Sequence, residues 1–149
     1  MLAAIILAAG LSSRMGQPKL LLPLKGKSVI RRTVERVLAS GAGAFEEAIV
    51  VLGPEAAAIE RELEGLEVRT VFNPRFAEGM STSLKTGLQA VSPMADGAMV
   101  FLGDQPLVSP EVVRRMVATF RESARPIVVP LYGTVRGNPV LFSSSLFSE

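Results

Sequence analysis

The sequence predicts an α/β domain built in three layers, a mostly parallel sheet with helices on both faces. Three observations predict it. Short apolar runs alternate with segments of helical periodicity along all 149 residues, the pattern of strand–helix–strand units that form parallel sheets. The first run, Leu2 to Leu7, is almost entirely apolar, as expected of a strand buried on both faces. The connections that leave the carboxyl ends of the strands carry the unusual sequences, and that is where open α/β sheets bind ligands.

In chain order, the Leu2–Leu7 strand is followed by about a dozen small and glycine-type residues. Ser28 then caps a helix reaching about Ala39, with Ile30, Val34, Val37 and Leu38 on one face and Gly41 as its stop. Ala48–Leu52 is a second strand, Pro54–Leu63 an Ala/Glu helix ending near Gly65, and Val68–Phe72 a third strand. The loop Asn73–Gly79 leads into a helix from about Ser81, with Leu84, Leu88 and Val91 in register. Ala98–Leu102 is a fourth strand. Ser109-Pro110-Glu111 combines a cap, a proline at the first helical position and an acid, and opens a helix carrying Val112, Val113, Met116, Val117 and Phe120. Ile127–Leu131 and Val140–Phe142 read as further strands, and Ser143–Glu149 as the first turn of another helix. With little beyond that turn, the expectation is one domain over residues 1–149 that lacks its C-terminal part.

Composition narrows the chemistry. The chain is 48% hydrophobic and 20% charged, with a net charge of +2 and its sixteen Lys and Arg scattered. One Tyr and no Trp give poor support for a nucleic-acid platform. No run of about 18 apolar residues suggests a membrane span, and no basic-then-apolar leader is read at the N-terminus. The absence of cysteine fits a reducing cytoplasm. The absence of histidine removes Ser-His-Asp chemistry, His-ligated zinc and imidazole acid–base catalysis.

Four segments carry chemistry. The loop Leu7-Ala-Ala-Gly-Leu-Ser-Ser-Arg-Met-Gly-Gln-Pro-Lys19 is neither a Walker P-loop nor a dinucleotide fingerprint. It could be a long connection with glycines for turns, but Arg14 and Lys19 have few structural uses there. Small residues let backbone N–H groups approach an anion, and the cations neutralise it. In Gly103-Asp104-Gln105-Pro106, Asp104 is one of two aspartates in the chain. It reads either as a cap or as a ligand for magnesium, which takes one or two carboxylates plus phosphate oxygens. The other, Asp96 before Gly97, reads as a turn residue. In Asn73-Pro74 and Glu78-Gly-Met-Ser-Thr-Ser83, the hydroxyls either cap a helix or join an anion site at its N-terminus, and Asn73 offers an amide to a base or ribose. In Tyr132-Gly-Thr-Val-Arg-Gly-Asn-Pro-Val140, Gly133 and Gly137 suggest a turn between strands, with Arg136 either an acceptor contact or a solvated hairpin charge. The pairs Arg31-Arg32 and Arg114-Arg115 read as solvated helix faces.

A polyphosphate loop and a magnesium carboxylate without histidine suggest nucleotidyl transfer. A phosphate or carboxylate acceptor is already ionised near pH 7 and needs no general base. Catalysis then reduces to alignment and charge neutralisation at the α-phosphate by Lys19, Arg14 and magnesium on Asp104.

The Leu7–Lys19 segment resembles the signature of nucleotidyltransferases of the molybdenum-cofactor type. Gly103-Asp-Gln-Pro106, Asn73-Pro74, Glu78-Gly-Met-Ser81 and Arg136-Gly-Asn-Pro139-Val-Leu-Phe142 match in the same order along the chain. The resemblance implies a Rossmann-like nucleotidyltransferase fold of the nucleotide-diphospho-sugar transferase type. Leu-Ala-Ala-Gly with Gly-Asp-Gln-Pro is similar to the cytidylyl members, where guanylyl members usually carry Leu-Ala-Gly-Gly. It thus implies CMP transfer from CTP to Mo-molybdopterin, giving molybdopterin cytosine dinucleotide and pyrophosphate, with magnesium as cofactor and a recipient molybdoenzyme as partner. Residue by residue, it implies that Leu7, Ala8, Ala9 and Gly10 contact base and ribose through backbone. Asn73, Gly79, Ser81 and Gln105 complete the nucleotide site, while Arg14 and Lys19 bind the triphosphate and Asp104 holds the metal. Ser83, Arg136 and Asn138 face the acceptor. Asn138 stands where relatives often have His, and the family's C-terminal Asp-x-Asp-Thr-Pro-type stretch is absent. Two other readings use the same residues: a nucleotidyltransferase with another donor or acceptor (GTP, or a sugar phosphate), and a non-catalytic protein that delivers the cofactor.

Overall fold

The computed structural model of the chain describes residues 1–10, 18–41 and 43–148. β1 (Leu2–Ala8) is followed by a small hairpin of β2 (Pro23–Leu24) and β3 (Lys27–Ser28), then α1 (Val29–Ser40), β4 (Phe45–Leu52), α2 (Ala56–Glu62) and β5 (Arg69–Phe72). α3 (Met80–Ala90), β6 (Gly97–Leu102), α4 (Pro110–Ser123) and β7 (Ile127–Val128) come next. A second hairpin, β8 (Leu131–Tyr132) and β9 (Val135–Arg136), precedes β10 (Val140–Ser143).

The main sheet has the order β5-β4-β1-β6-β10-β7. β5, β4, β1 and β6 are parallel, while β10 is antiparallel to β6 and β7. Chain order reverses at β1: β4 and β5 build outward on one side, and β6 returns to the other. The carboxyl ends of β1 and β6 therefore flank the switch point, where such sheets open a crevice.

Both faces of β1 are covered, which explains its apolar run. Leu2, Ala4, Ile6 and Ala8 pack with Ile30, Val34 and Val37 of α1, Ile59 of α2, and Val113, Met116 and Val117 of α4. Ala3 and Ile5 point the other way, toward Leu84 and Leu88 of α3. The helix starts at Ser28 and Ser109 are as predicted: Ser28 accepts from Arg31 N and Ser109 from Val112 N. Gly41 ends α1 for a steric reason, since its φ is −93° and a Cβ there would lie 1.9 Å from the Phe45 ring.

Several boundaries differ from expectation. The strand read over Ile127–Leu131 stays in the sheet only to Val128, because Pro130 has no N–H for a ladder. Leu131 belongs instead to the second hairpin, the turn that Gly133 and Gly137 suggested. The first hairpin falls inside what read as loop; its turn holds Lys25 at φ 53° and Gly26 at φ 87°. Val140–Ser143 is a sheet strand, and the turn after it is a 3-10 turn, Ser144–Leu146.

Candidate nucleotide-binding cleft

A cleft of about 350 Å³ opens at the switch point. Described residues of the segments after β1, β5 and β6 line it, as the alternation predicted. Leu7, Ala9 and Gly10 line it from β1, Gly79, Met80 and Ser83 from the start of α3, and Gly103 and Asp104 from β6, with Lys19 closing one side. Two glycines hold the end of β1 in place. Gly103 N donates to Leu7 O at 2.9 Å, and a Cβ on Gly103 would fall 2.9 Å from that same oxygen. On the opposite side, a Cβ on Gly53 would fall 2.7 Å from Ala9 O. The Ala9–Gly10 backbone thus sits against β4 through a position where only glycine fits without movement.

Lys19 and Asp104 meet across this cleft. Lys19 sits in a 3-10 turn, Lys19–Leu21, and Asp104 two residues past β6. Lys19 Nζ lies 3.4 Å from Asp104 Oδ2, and both side chains are exposed. A cation for phosphate and a carboxylate for a hard cation therefore share one edge of the cavity. Among the described residues no group of three or more His, Cys, Asp or Glu could cage a metal. A single carboxylate fits magnesium chemistry all the same, because that ion keeps waters and takes its other ligands from substrate phosphates. Arg14, the third charged residue expected here, lies outside the described residues.

The start of α3 departs from expectation. Gly79 is its N-cap, with φ 113°, and no side chain caps the helix. The first turn of α3 therefore presents backbone N–H groups at the cleft, an arrangement favourable to anions. Asn73 does not face the cleft. It is 1% exposed, its Nδ2 donates to Thr82 Oγ1 and Ser83 Oγ, each at 2.9 Å, and its Oδ1 accepts from Arg75 N at 2.9 Å. Both of its amide hydrogens are spent on Thr82 and Ser83 at the start of α3, leaving no donor for a base or ribose. Ser83 is buried but reaches the cleft wall.

The remaining expected residues spread out. Ala8 is buried in the core and Ala9 is 2% exposed, so Ala9 meets the cleft by its backbone while its methyl packs inward. Gln105 is exposed and stands outside the cleft lining. Ser81 and Asn138 come together in an adjoining depression of about 260 Å³, which shares Leu7, Met80 and Leu102 with the main cleft. Arg136 is exposed on β9. Sequence reasoning missed the apolar wall of Leu20, Phe76, Ala77 and Met80. Of these only Met80, in the Glu78-Gly-Met-Ser81 segment, carried a signal, and it is an exposed methionine. Arg31 and Arg32 are not simply solvated. Arg31 Nη1 donates to Glu62 O and Glu64 O at 2.7 and 3.0 Å, and Arg32 Nε to Leu24 O at 2.5 Å. Arg114 and Arg115 are exposed, as read.

Comparison with known proteins agrees with this fold. The profile of the MobA-like NTP transferase domain matches residues 4–149. The molybdenum cofactor cytidylyltransferase of Escherichia coli K12 is 29% identical over 140 residues, covering 93% of this chain and 68% of that protein. A probable molybdenum cofactor guanylyltransferase of Thermococcus sibiricus is 36% identical over 126 residues, covering 85% of this chain and 60% of that protein. Rv0371c of Mycobacterium tuberculosis superposes with a TM-score of 0.85 at 33% identity, covering 99% of this chain and 73% of that one. It has also been solved in complex with manganese, with a TM-score of 0.81 against this chain. The curated relatives named here are thus spanned over roughly two thirds of their length.

Proposed function

The chain belongs to the MobA-like NTP transferase family and is a nucleotidyltransferase, and from that premise we propose that it transfers CMP from CTP to the phosphate of Mo-molybdopterin. In this reaction a phosphate oxygen of the pterin forms a bond to the α-phosphorus of CTP, and the bond from that phosphorus to the bridging oxygen breaks. Molybdopterin cytosine dinucleotide and pyrophosphate leave. The acceptor oxygen is already ionised, so the absence of histidine from the chain is no obstacle.

The observation that carries this reading is the Lys19–Asp104 pair at 3.4 Å on the rim of the switch-point cleft. Lys19 neutralises the charge that builds on the departing pyrophosphate. The uncapped N-terminus of α3 holds phosphate oxygens through backbone N–H groups. Leu7, Ala9 and Gly10 seat the base and ribose by main chain, and Ser83 closes that wall. Asp104 would hold a divalent cation, magnesium in this proposal, and when bound that ion supplies charge neutralisation between the phosphates. Arg14 joins the triphosphate contacts. Ser81 and Ser83 exchange their expected roles: Ser83 lines the nucleotide cleft, while Ser81 lies with Asn138 in the adjoining depression, where both face the acceptor and Arg136 meets its phosphate.

Cytidine is favoured by Leu7-Ala-Ala-Gly10 and by the cytidylyl relative. The guanylyl relative makes GTP the necessary comparison. The chain is assayed for pyrophosphate release with CTP or GTP, magnesium, and either molybdenum cofactor or sugar phosphates. Turnover with CTP and the pterin, and little with GTP, is expected. Comparable turnover with sugar phosphates and none with the pterin would overturn the acceptor. Pterin binding without any turnover would make the chain a delivery protein instead.

A further inference from the structure

One helix is hydrogen-bonded to both of the segments that carry Lys19 and Asp104. Thr33 of α1 is wholly buried. A threonine inside a helix ordinarily returns its hydroxyl to the carbonyl four residues back, and Thr33 Oγ1 lies 3.0 Å from Val29 O. Its shorter contact leaves the helix: 2.7 Å to Gly103 O, 70 residues away in sequence. Gly103 immediately precedes Asp104. One turn further along α1, Arg36 Nε donates to Val108 O at 2.8 Å. Thr33 and Arg36 thus hold the two ends of the segment that carries Asp104. The Lys19 side is tied to the same helix, since Val29 N donates to Leu22 O at 3.0 Å and Arg32 to Leu24 O.

We infer that α1 sets the geometry of the Lys19–Asp104 pair, with Thr33 and Arg36 as positioning residues for Asp104. Neither touches the cleft. Each acts through a main-chain carbonyl, and a carboxylate on an exposed turn needs such anchors if its oxygens are to meet a cation at a fixed place. The inference rests on the nucleotidyl-transfer reading for its consequence and on the hydrogen bonds for its mechanics, so the two are tested apart.

The full chain is compared with Thr33→Val, which keeps the shape and removes the donor, Thr33→Ser, which keeps the donor, and Arg36→Ala, at an exposed side chain, each first shown to be folded by circular dichroism and a thermal melt. Amide hydrogen exchange at Gly103 and Gln105 is measured without ligand, and Mn²⁺ affinity is measured by electron paramagnetic resonance with CTP present. Thr33→Val and Arg36→Ala are expected to speed exchange at those amides. They should weaken Mn²⁺ binding and lower kcat about tenfold, the low end of losses when the support of a metal ligand is removed. The KM for CTP should stay near its original value, and Thr33→Ser should restore all three. Should Thr33→Val fail to fold, Arg36→Ala alone decides. Unchanged exchange and Mn²⁺ affinity in the folded donor-loss variants overturn the inference. Accelerated exchange in a chain whose unmutated form neither binds Mn²⁺ with CTP nor releases pyrophosphate supports the bracket and overturns the proposed reaction.

Discussion

Lys19 and Asp104 are 85 residues apart in sequence and 3.4 Å apart in space, both in solvent. Exposed ion pairs contribute little to stability, and in the proposed reaction both groups act on the substrate phosphates and their metal. Lys19→Ala should therefore leave Tm within about 2 °C and lower kcat/KM for CTP about 100-fold, the scale of losing one electrostatic contact to a transition state. Steady-state kinetics beside a thermal melt check both halves. Ala9→Gly tests base choice. Its methyl packs inward, so any change in the CTP-to-GTP preference comes from loop placement; a shift of about tenfold toward GTP is expected in paired kcat/KM measurements. That Lys19 and Asp104 would come to one crevice was legible because charges in small-residue loops at strand ends have few structural uses. Asn73 was not, because an amide that serves Thr82 and Ser83 has the same letter as one that serves a ligand. Thr33 and Arg36 were invisible, since their partners are main-chain carbonyls about 70 residues away and no sequence pattern marks a carbonyl.

At the scale of elements, the segment before α3 depends on Asn73, which makes three hydrogen bonds from a buried position. Asn73→Ala should destabilise the chain by about 2–3 kcal/mol, measured by urea unfolding, and raise the KM for CTP because Gly79 and Ser83 lose their setting. Gly53→Ala would drive a methyl to within 2.7 Å of Ala9 O. The expected result is a several-fold rise in the KM for CTP. Gly97→Ala is the control: its Cβ would crowd Phe142 O at the same 2.7 Å, at the opposite end of the sheet, costing stability and sparing KM. Helix positions were readable from caps such as Ser28 and Ser109. The hairpin at Lys25–Gly26 was not, because a lysine at φ 53° lacks the Asn or Asp that usually announces such a turn.

Over the whole molecule, the alternation of runs was enough to predict a parallel sheet with a crevice at its carboxyl ends. The antiparallel placement of β10 could not be read, since Val140–Ser143 looks alike in either direction. A ligand bound across loops from β1, β5 and β6 stabilises all of them at once. CTP with magnesium at about 100 times Kd should add about 2.7 kcal/mol, raising Tm by roughly 5–10 °C, with a smaller rise for either alone in differential scanning calorimetry. The reversal of strand order at β1 also has a consequence for synthesis. β1 is made first, yet its partner β6 lies 95 residues later throughout the register from Leu2↔Gly97 to Leu7↔Leu102. At ribosomal speed that is roughly 5–20 s, during which the most apolar strand of the nascent chain has at most one neighbour. The cleft cannot exist until translation has passed Asp104.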